Sequence, residues 1–398
     1  MTAEFDNISP FNDDDVTLVL KRVLADREMY SAIGAWVSPS LNRKAPWLLH
    51  PLIRLGLAWQ FRGIRRVDDF QLRLRGYLKR ILDKSVAELT VSGLDELDPD
   101  KGYLFVSNHR DIVMDPAMVN WTLYHAGFQT VRIAIGDNLL SKPFVSDLMR
   151  LNKSFIVRRS VKGMKAKLKE AQILSRYIHH CITVDQTNVW IAQREGRAKD
   201  GYDKTNSAVI GMFSLSKPKD RDYARYIREL NIVPVTISYE VDPLDLSKAR
   251  ELYAQEYKGG YKKRAHEDVQ SIARGMTGWK GRVHLAFGDV LSGNYGKDSD
   301  VAVAIDEQVH RQYRLCESNE WAHAALHGET LEPGNADAIK LAERVATARD
   351  TLKPYLLRQY ANAVRMKRGL PPLTSAMDNV DSISVQAETT DSSATDSQ

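Results

Sequence analysis

Cysteine is nearly absent: Cys181 and Cys316 are the only two in 398 residues. Two thiols are too few for a disulfide framework, show no metal-ligand spacing and suit a reducing compartment. Basic residues are absent before Lys21, so no charged leader region and no secretory signal is expected. The letters His-Arg-Asp at 109–111 match a protein-kinase catalytic loop, but the other kinase parts are missing. Residues 1–105 hold no GxGxxG loop and no VAIK-like strand, and no DFG follows. Pro116 stands where the magnesium-holding Asn belongs, five residues after Asp111, and the protein-kinase reading fails.

What is present is a globular composition, 43% hydrophobic and 27% charged, in a chain long enough for one large domain or two ordinary ones. Residues 1–15 and 369–398 carry five acids each and no base, which leaves 56 bases against 41 acids between them. Such a basic body suits phosphate-bearing partners. Nucleic acid is not expected, because the basic residues Arg159, Lys162, Lys165, Lys167 and Lys169 are not interleaved with stacking aromatics. That run is either a solvated helix face or a surface for anionic headgroups, an acidic carrier protein or the phosphates of coenzyme A.

Between about 100 and 290 short apolar runs (YLFVS, VRIAI, SFIV, VWIAQ, VPVTISY, VHLAF) alternate with longer stretches of helical periodicity. This predicts an α/β fold with a mostly parallel sheet flanked by helices, an apolar helical segment before it and helices after it. The expected division is an acidic flexible N-terminus at 1–20, an N-terminal helical region at 21–95, the α/β domain at 96–330, C-terminal helices at 331–370 and a disordered acidic tail at 371–398. Within the second region, residues 45–66 are strongly apolar, but His50 and Arg54 break them up and no uncharged run reaches 18 residues. They read either as a membrane-interface helix, with Trp at headgroup level and Arg62, Arg65 and Arg66 near anionic lipid, or as a helix buried in the domain.

The strand YLFVS is expected to deliver Asn108 and His109 to its carboxyl end, where α/β sheets hold their ligands. A neutral imidazole there can take a proton from a hydroxyl if a carboxylate fixes its tautomer. Asp115 and Asp111 both qualify, and Asp115, followed by Pro116, also reads as the cap of the next helix.

This Asn-His followed by Asp resembles the first motif of the glycerolipid acyltransferases, and three further blocks follow in that family's order. KSFIVRR (153–159) resembles the second, which implies a phosphate-binding role for Arg158. WIAQREGRAKDG (190–201) resembles the third, matched at Glu195, Gly196 and Arg197, and IVPVTISY (232–239) resembles the fourth, with Pro234 in the matching place. Two departures stand out. Five residues separate His109 from Asp115 where the family usually has four; the third block lacks its threonine, with Arg194 where a proline is usual.

The resemblance implies that His109 is the general base, Asp115 its orienting partner, and Arg158, Glu195, Gly196 and Arg197 the substrate-binding residues, with the two arginines on the acceptor's phosphate and Glu195 orienting them or accepting from a substrate hydroxyl. It implies acyl transfer from acyl-CoA or acyl carrier protein, as co-substrate with no cofactor or metal, to a lysophospholipid, foremost 1-acylglycerol-3-phosphate. It implies work at a phospholipid surface on the cytoplasmic face of the inner membrane, peripheral or monotopic. The alternatives are the same chemistry on glycerol 3-phosphate or another lysolipid, and a catalytically silent lipid-binding protein of the same fold.

Overall fold

The computed structural model describes residues 3–140, 142–262 and 267–374. It opens with helices α1 (Asp13–Val23), α2 (Arg27–Val37), α3 (Pro39–Lys44), α4 (Pro46–Gln60) and α5 (Val67–Ser85). A seven-stranded sheet follows: β1 (Glu88–Ser92), β2 (Leu104–Ser107), β3 (Arg132–Gly136), β4 (Ser154–Val157), β5 (Val189–Ala192), β6 (Ile232–Tyr239) and β7 (Arg282–Phe287). Its order is β1-β7-β6-β2-β5-β3-β4, and every neighbouring pair is parallel except β6 with β7. The expected mostly parallel α/β sheet is thus observed.

The connections are α6 (Met114–His125) after β2, α7 (Pro143–Leu151) after β3, α8 (Met164–Thr183) after β4, then α9 (Ser207–Ser214) and α10 (Tyr223–Glu229) between β5 and β6. Between β6 and β7 come α11 (Asp245–Tyr257) and α12 (Glu267–Thr277). Strand alternation divides the core. Leu104 and Val106 pack with α8, α9 and α13 (Asp298–Gln312), whereas Phe105 and Trp190 pack with α6 on the other side. Strand β2 lies mid-sheet between β5 and β6, so the residues after Ser107 emerge at the carboxyl edge beneath cover from both layers.

Three boundaries differ from expectation. The acidic start is not flexible over the described residues: Phe5, Ile8, Val16, Val19 and Leu20 are buried. Asn12 and Asp15 form a capping box, and Asp13, Asp14 and Asp15 occupy the first turn of α1, where the helix dipole favours negative charge. The Ile156 amide donates to the Ile8 carbonyl at 2.9 Å, so this segment covers the open edge of β4. At 95/96 the proposed boundary falls too late, because β1 already pairs with β7; a short, half-exposed edge strand has too little apolar contrast to stand out in sequence. At 330/331 it divides one layer: α14 (Glu317–Leu326), α15 (Ala336–Thr347) and α16 (Lys353–Lys367) pack together against α11 through Ala249, Ala322, Leu341 and Tyr355. The tail expected to be disordered begins later than 371, since Leu373 is buried and its amide donates to Asn362 at 2.8 Å. Residues 375–398 lie outside the described residues.

Residues 45–66 form α4 and the turn after it. Leu49, Ile53, Leu57 and Phe61 recur every fourth residue and turn inward: Leu49 is buried beside Gly34 of α2, and Ile53, Leu57 and Phe61 pack into the cluster formed with α1, α2, α5 and α7. The other face carries Trp47 (76% exposed), Leu48, Leu52, Leu55 and Trp59 (70% exposed). The fully buried alternative is therefore not what the fold does. No helix among the described residues is long and apolar enough to cross a membrane.

Truncating Phe5, whose ring meets that of Tyr177 edge-on with centroids 5.4 Å apart, tests the packing of the N-terminal segment. Phe5→Ala is expected to lower unfolding stability by about 3 kcal/mol, read as a lower urea midpoint at unchanged slope.

Candidate active site

Asn108, the first residue past β2, is fully buried and bonded as a strand residue would be: its side chain donates to the Ile237 carbonyl at 3.0 Å and accepts from the Ile237 amide at 2.7 Å. It also donates to Asp203 at 2.8 Å. Asn108 thereby carries the sheet's order one residue further, and His109 leaves it in a set direction. The imidazole Nδ1 lies 2.8 Å from Asp115 Oδ2, and the ring meets Trp190 edge-on. With Nδ1 engaged, Nε2 is the nitrogen left to serve the cleft that His109 lines.

Asp115 is fully buried and held by four donors. Oδ2 accepts from His109 Nδ1 and from the amides of Arg110 (2.6 Å) and Asp111 (2.9 Å); Oδ1 accepts from the Tyr239 hydroxyl (2.7 Å). Burial alone would push this carboxyl up; the hydrogen bond and charge of His109, with Tyr239 and the Asp111 amide, outweigh it and hold the carboxyl below its ordinary value. The fifth intervening residue is absorbed in the turn: the loop curls so that two of its amides point back at the carboxylate. Capping falls to the other aspartate, because Asp111 Oδ1 accepts from the amides of Val113 and Met114 at 3.0 and 2.8 Å, at the start of α6. Asp111 is buried, and its Oδ2 has no partner among the described residues. Burial, then the charge of Asp115, push its carboxyl up.

The cleft, about 730 Å³, opens at the carboxyl edge of the sheet. Its polar wall includes Arg158, Arg159, Lys167, Arg194, Glu195, Gly196, Arg197 and Lys199, and its apolar wall includes Phe70, Leu74, Val113, Leu148 and Met276. The structure thus brings His109, Arg158, Glu195, Gly196 and Arg197 around one space, with Asp115 behind the imidazole. Arg158 is partly exposed and 3.8 Å from Glu170. Arg159, which alternation would have sent to the opposite face, reaches the same cleft and pairs with Glu195 at 3.1 Å; β4 has already ended at Val157, so alternation no longer applies. Gly196 sits at φ +73°, left-handed backbone that favours glycine, with open space where a side chain would be.

Sequence reasoning missed what ties this loop to the base. Arg110 is buried, donating to both oxygens of Asp203 at 2.5 and 2.7 Å and to the Gly201 carbonyl at 3.2 Å. The Ala198 amide donates to the His109 carbonyl at 2.9 Å. Gly201 lies against the Gln359 carbonyl too closely for any side chain. The loop that follows Glu195-Gly196-Arg197 and the histidine loop are thus bonded directly to each other. The signal for Arg110 was a letter in a failed kinase motif, and nothing marks Asp203, 93 positions away. A second cavity of about 780 Å³ between α5 and α6 shares Leu74, Val113, Ala117, Asn120 and Met276 with the first.

An imidazole backed by a buried carboxylate and facing a cationic, partly apolar cleft at the carboxyl edge of an α/β sheet is an arrangement able to take a proton from a hydroxyl. Residues 88–239 match the family model described as Acyltransferase. A glycerol-3-phosphate acyltransferase of Pseudoalteromonas atlantica is 26% identical over 61% of this chain and 30% of its own length. A dihydroxyacetone phosphate acyltransferase of Bos taurus is 24% identical over 56% of this chain and 31% of its own length. A glycerol-3-phosphate acyltransferase of Aeromonas hydrophila is 25% identical over 73% and 36% respectively. The chain thus spans about a third of the length of the curated relatives it matches. The solved 1-acyl-sn-glycerophosphate acyltransferase PlsC of Thermotoga maritima aligns over 74% of this chain and 94% of its own at 14% identity, with a TM-score of 0.34, too loose a likeness to carry an argument.

The Asp111 environment gives a pH prediction. A carboxyl whose folded pKa is raised binds its proton more tightly in the folded chain, so its cost to stability is absent in acid and grows as pH rises through the ordinary carboxylate range toward the folded value. Asp111→Asn keeps an oxygen for the two amides and removes that cost. The variant is expected to match the wild type near pH 4 and to be the more stable of the two at pH 8, measured by urea unfolding at the two pH values.

Proposed function

We propose that this chain transfers a fatty acyl group from acyl-CoA or acyl carrier protein to the free hydroxyl of 1-acylglycerol-3-phosphate, giving phosphatidic acid. The observation that carries the reading is the His109–Asp115 pair opening on a cleft whose far wall holds Arg158, Arg159 and Arg197. In this reading Nε2 of His109 removes the proton of the acceptor hydroxyl as its oxygen attacks the thioester carbonyl, and Asp115 stabilises the imidazolium. The tetrahedral intermediate collapses with cleavage of the C–S bond, and the departing thiolate takes the proton from Nε2. No acyl-enzyme is needed, because the substrate's own oxygen is the nucleophile. The arginines provide planar, bidentate partners for the phosphate, and Gly196 keeps the loop free of a side chain where it approaches. Glu195 orients Arg159.

Two apolar cavities that share a wall favour an acceptor that already bears one chain, since donor and acceptor then each need a compartment. The names of the relatives favour a second reading, in which glycerol 3-phosphate is the acceptor and one compartment stays unused. We place the enzyme on the cytoplasmic face of the inner membrane, as a peripheral or monotopic protein held by α4. Its exposed Trp47, Leu52, Leu55 and Trp59 stand beside exposed Arg54, Arg62, Arg65 and Arg66, a combination that fits the interface of an anionic bilayer.

Purified protein with labelled palmitoyl-CoA or palmitoyl carrier protein and each acceptor in turn is the test. Transfer is expected to be abolished in His109→Ala and reduced about 10³-fold or more in Asp115→Asn; Arg158→Ala and Arg197→Ala are expected to raise the acceptor KM about tenfold or more. Full activity in His109→Ala would falsify the base assignment, and absence of transfer to every acceptor leaves the lipid-binding alternative. For the membrane claim, Trp47→Ser with Trp59→Ser is expected to weaken flotation with anionic vesicles by roughly tenfold or more.

A further inference from the structure

We propose that Tyr239 is a positioning residue for acyl transfer, setting the orientation of Asp115 and through it the tautomer of His109; this rests on the acyl-transfer reading above. Tyr239 is the last residue of β6, inside the block noticed in sequence only for Pro234. Strands β2 and β6 run parallel with Ser107 opposite Val235, so both chain ends leave the sheet on the same edge. Beyond that register β6 continues four residues to Tyr239, whose hydroxyl reaches Asp115 Oδ1 at 2.7 Å. Asp115 Oδ2 is shared among His109 and two amides, whereas Oδ1 has Tyr239 as its hydrogen-bond partner.

The geometry explains why this contact matters in a loop with a longer His–Asp spacing. Asp115 sits in the first turn of α6, and the five intervening residues could present the carboxylate in more than one orientation. One hydrogen bond on each oxygen fixes the rotation of the carboxylate plane, which a set of donors on a single oxygen does not. The tyrosine is itself fixed: it is buried, and its backbone pairs across the sheet with Val283 of β7. Burial first, then the charge of Asp115, push the Tyr239 hydroxyl well above its ordinary value, so it remains a donor. The orientation of the catalytic imidazole is thereby referred to the sheet itself. Tyr239 touches no substrate-facing surface of the cleft.

The test is Tyr239→Phe in the full chain, a change that keeps the ring and its packing, with folding checked by circular dichroism and thermal midpoint. Loss of a buried hydrogen bond to a charged group is expected to lower kcat roughly 10- to 100-fold, with the KM for acceptor and donor within about twofold. In His-selective ¹⁵N spectra, the His109 signal is expected to lose the single Nδ1–H tautomer and report a mixture. In an Asp115→Asn background, adding Tyr239→Phe is expected to cost nothing further, because the two act on one group. Unchanged kcat, a KM increase that accounts for the loss, an unaltered His109 tautomer or full additivity with Asp115→Asn would each overturn the proposal. If the wild type transfers no acyl group to any acceptor, the functional reading fails instead, and the tautomer comparison still decides whether Tyr239 orients the imidazole.

Discussion

The buried carboxylate of Asp115 is the interaction on which this site depends. A charged group at zero exposure is tenable only when its lone pairs are met, and here four donors from two parts of the chain meet them. One is the imidazole, two are amides of the loop that carries it, and one is a hydroxyl from a strand 124 positions on. The same bonds that keep the carboxylate ionised therefore shape the loop and aim the base. Remove that charge and the loop between β2 and α6 has little reason to keep its curl.

The buried Arg110–Asp203 pair plays the complementary part on the other side of His109. Breaking a buried pair leaves an uncompensated charge, which is why such contacts hold loops in register. Through it and the Ala198–His109 backbone bond, the segment bearing Glu195, Gly196 and Arg197 is set at a constant distance from the imidazole. The order of magnitude of catalysis available from positioning makes that constancy chemically meaningful, because effective concentrations fall steeply with displacement. The cationic wall itself is less tightly held: Arg158 and Arg159 are partly exposed, and among the described residues their ion pairs are with Glu170 and Glu195.

The N-terminal helices show how one segment serves two surfaces. Every fourth residue of α4 is turned inward, against α2 and the cluster it forms with α1, α5 and α7, while Trp47, Leu48, Leu52, Leu55 and Trp59 are left exposed. A scattered exposed leucine would call for no explanation, but two tryptophans and three leucines on one helix face do.

The sequence by itself determined what depends on neighbours along the chain. Six of the seven strands were legible as apolar runs because strands buried on both faces show no polar interruption, and the alternation with helical periods implied the parallel order. Histidine after a strand, and Arg158 and Glu195-Gly196-Arg197 after others, were legible because a strand's carboxyl end is a place readable from the run itself. Only the tertiary structure decided which aspartate meets the imidazole and which caps the helix, since both are at short range and the curl of the loop chooses between them. It alone brought Tyr239 to Asp115 and Arg110 to Asp203, and it alone packed the acidic first residues against β4. Those contacts join segments about 90 to 150 positions apart. Hydrophobic periodicity specifies which face a residue lies on, whereas the partner it meets there depends on how the layers close.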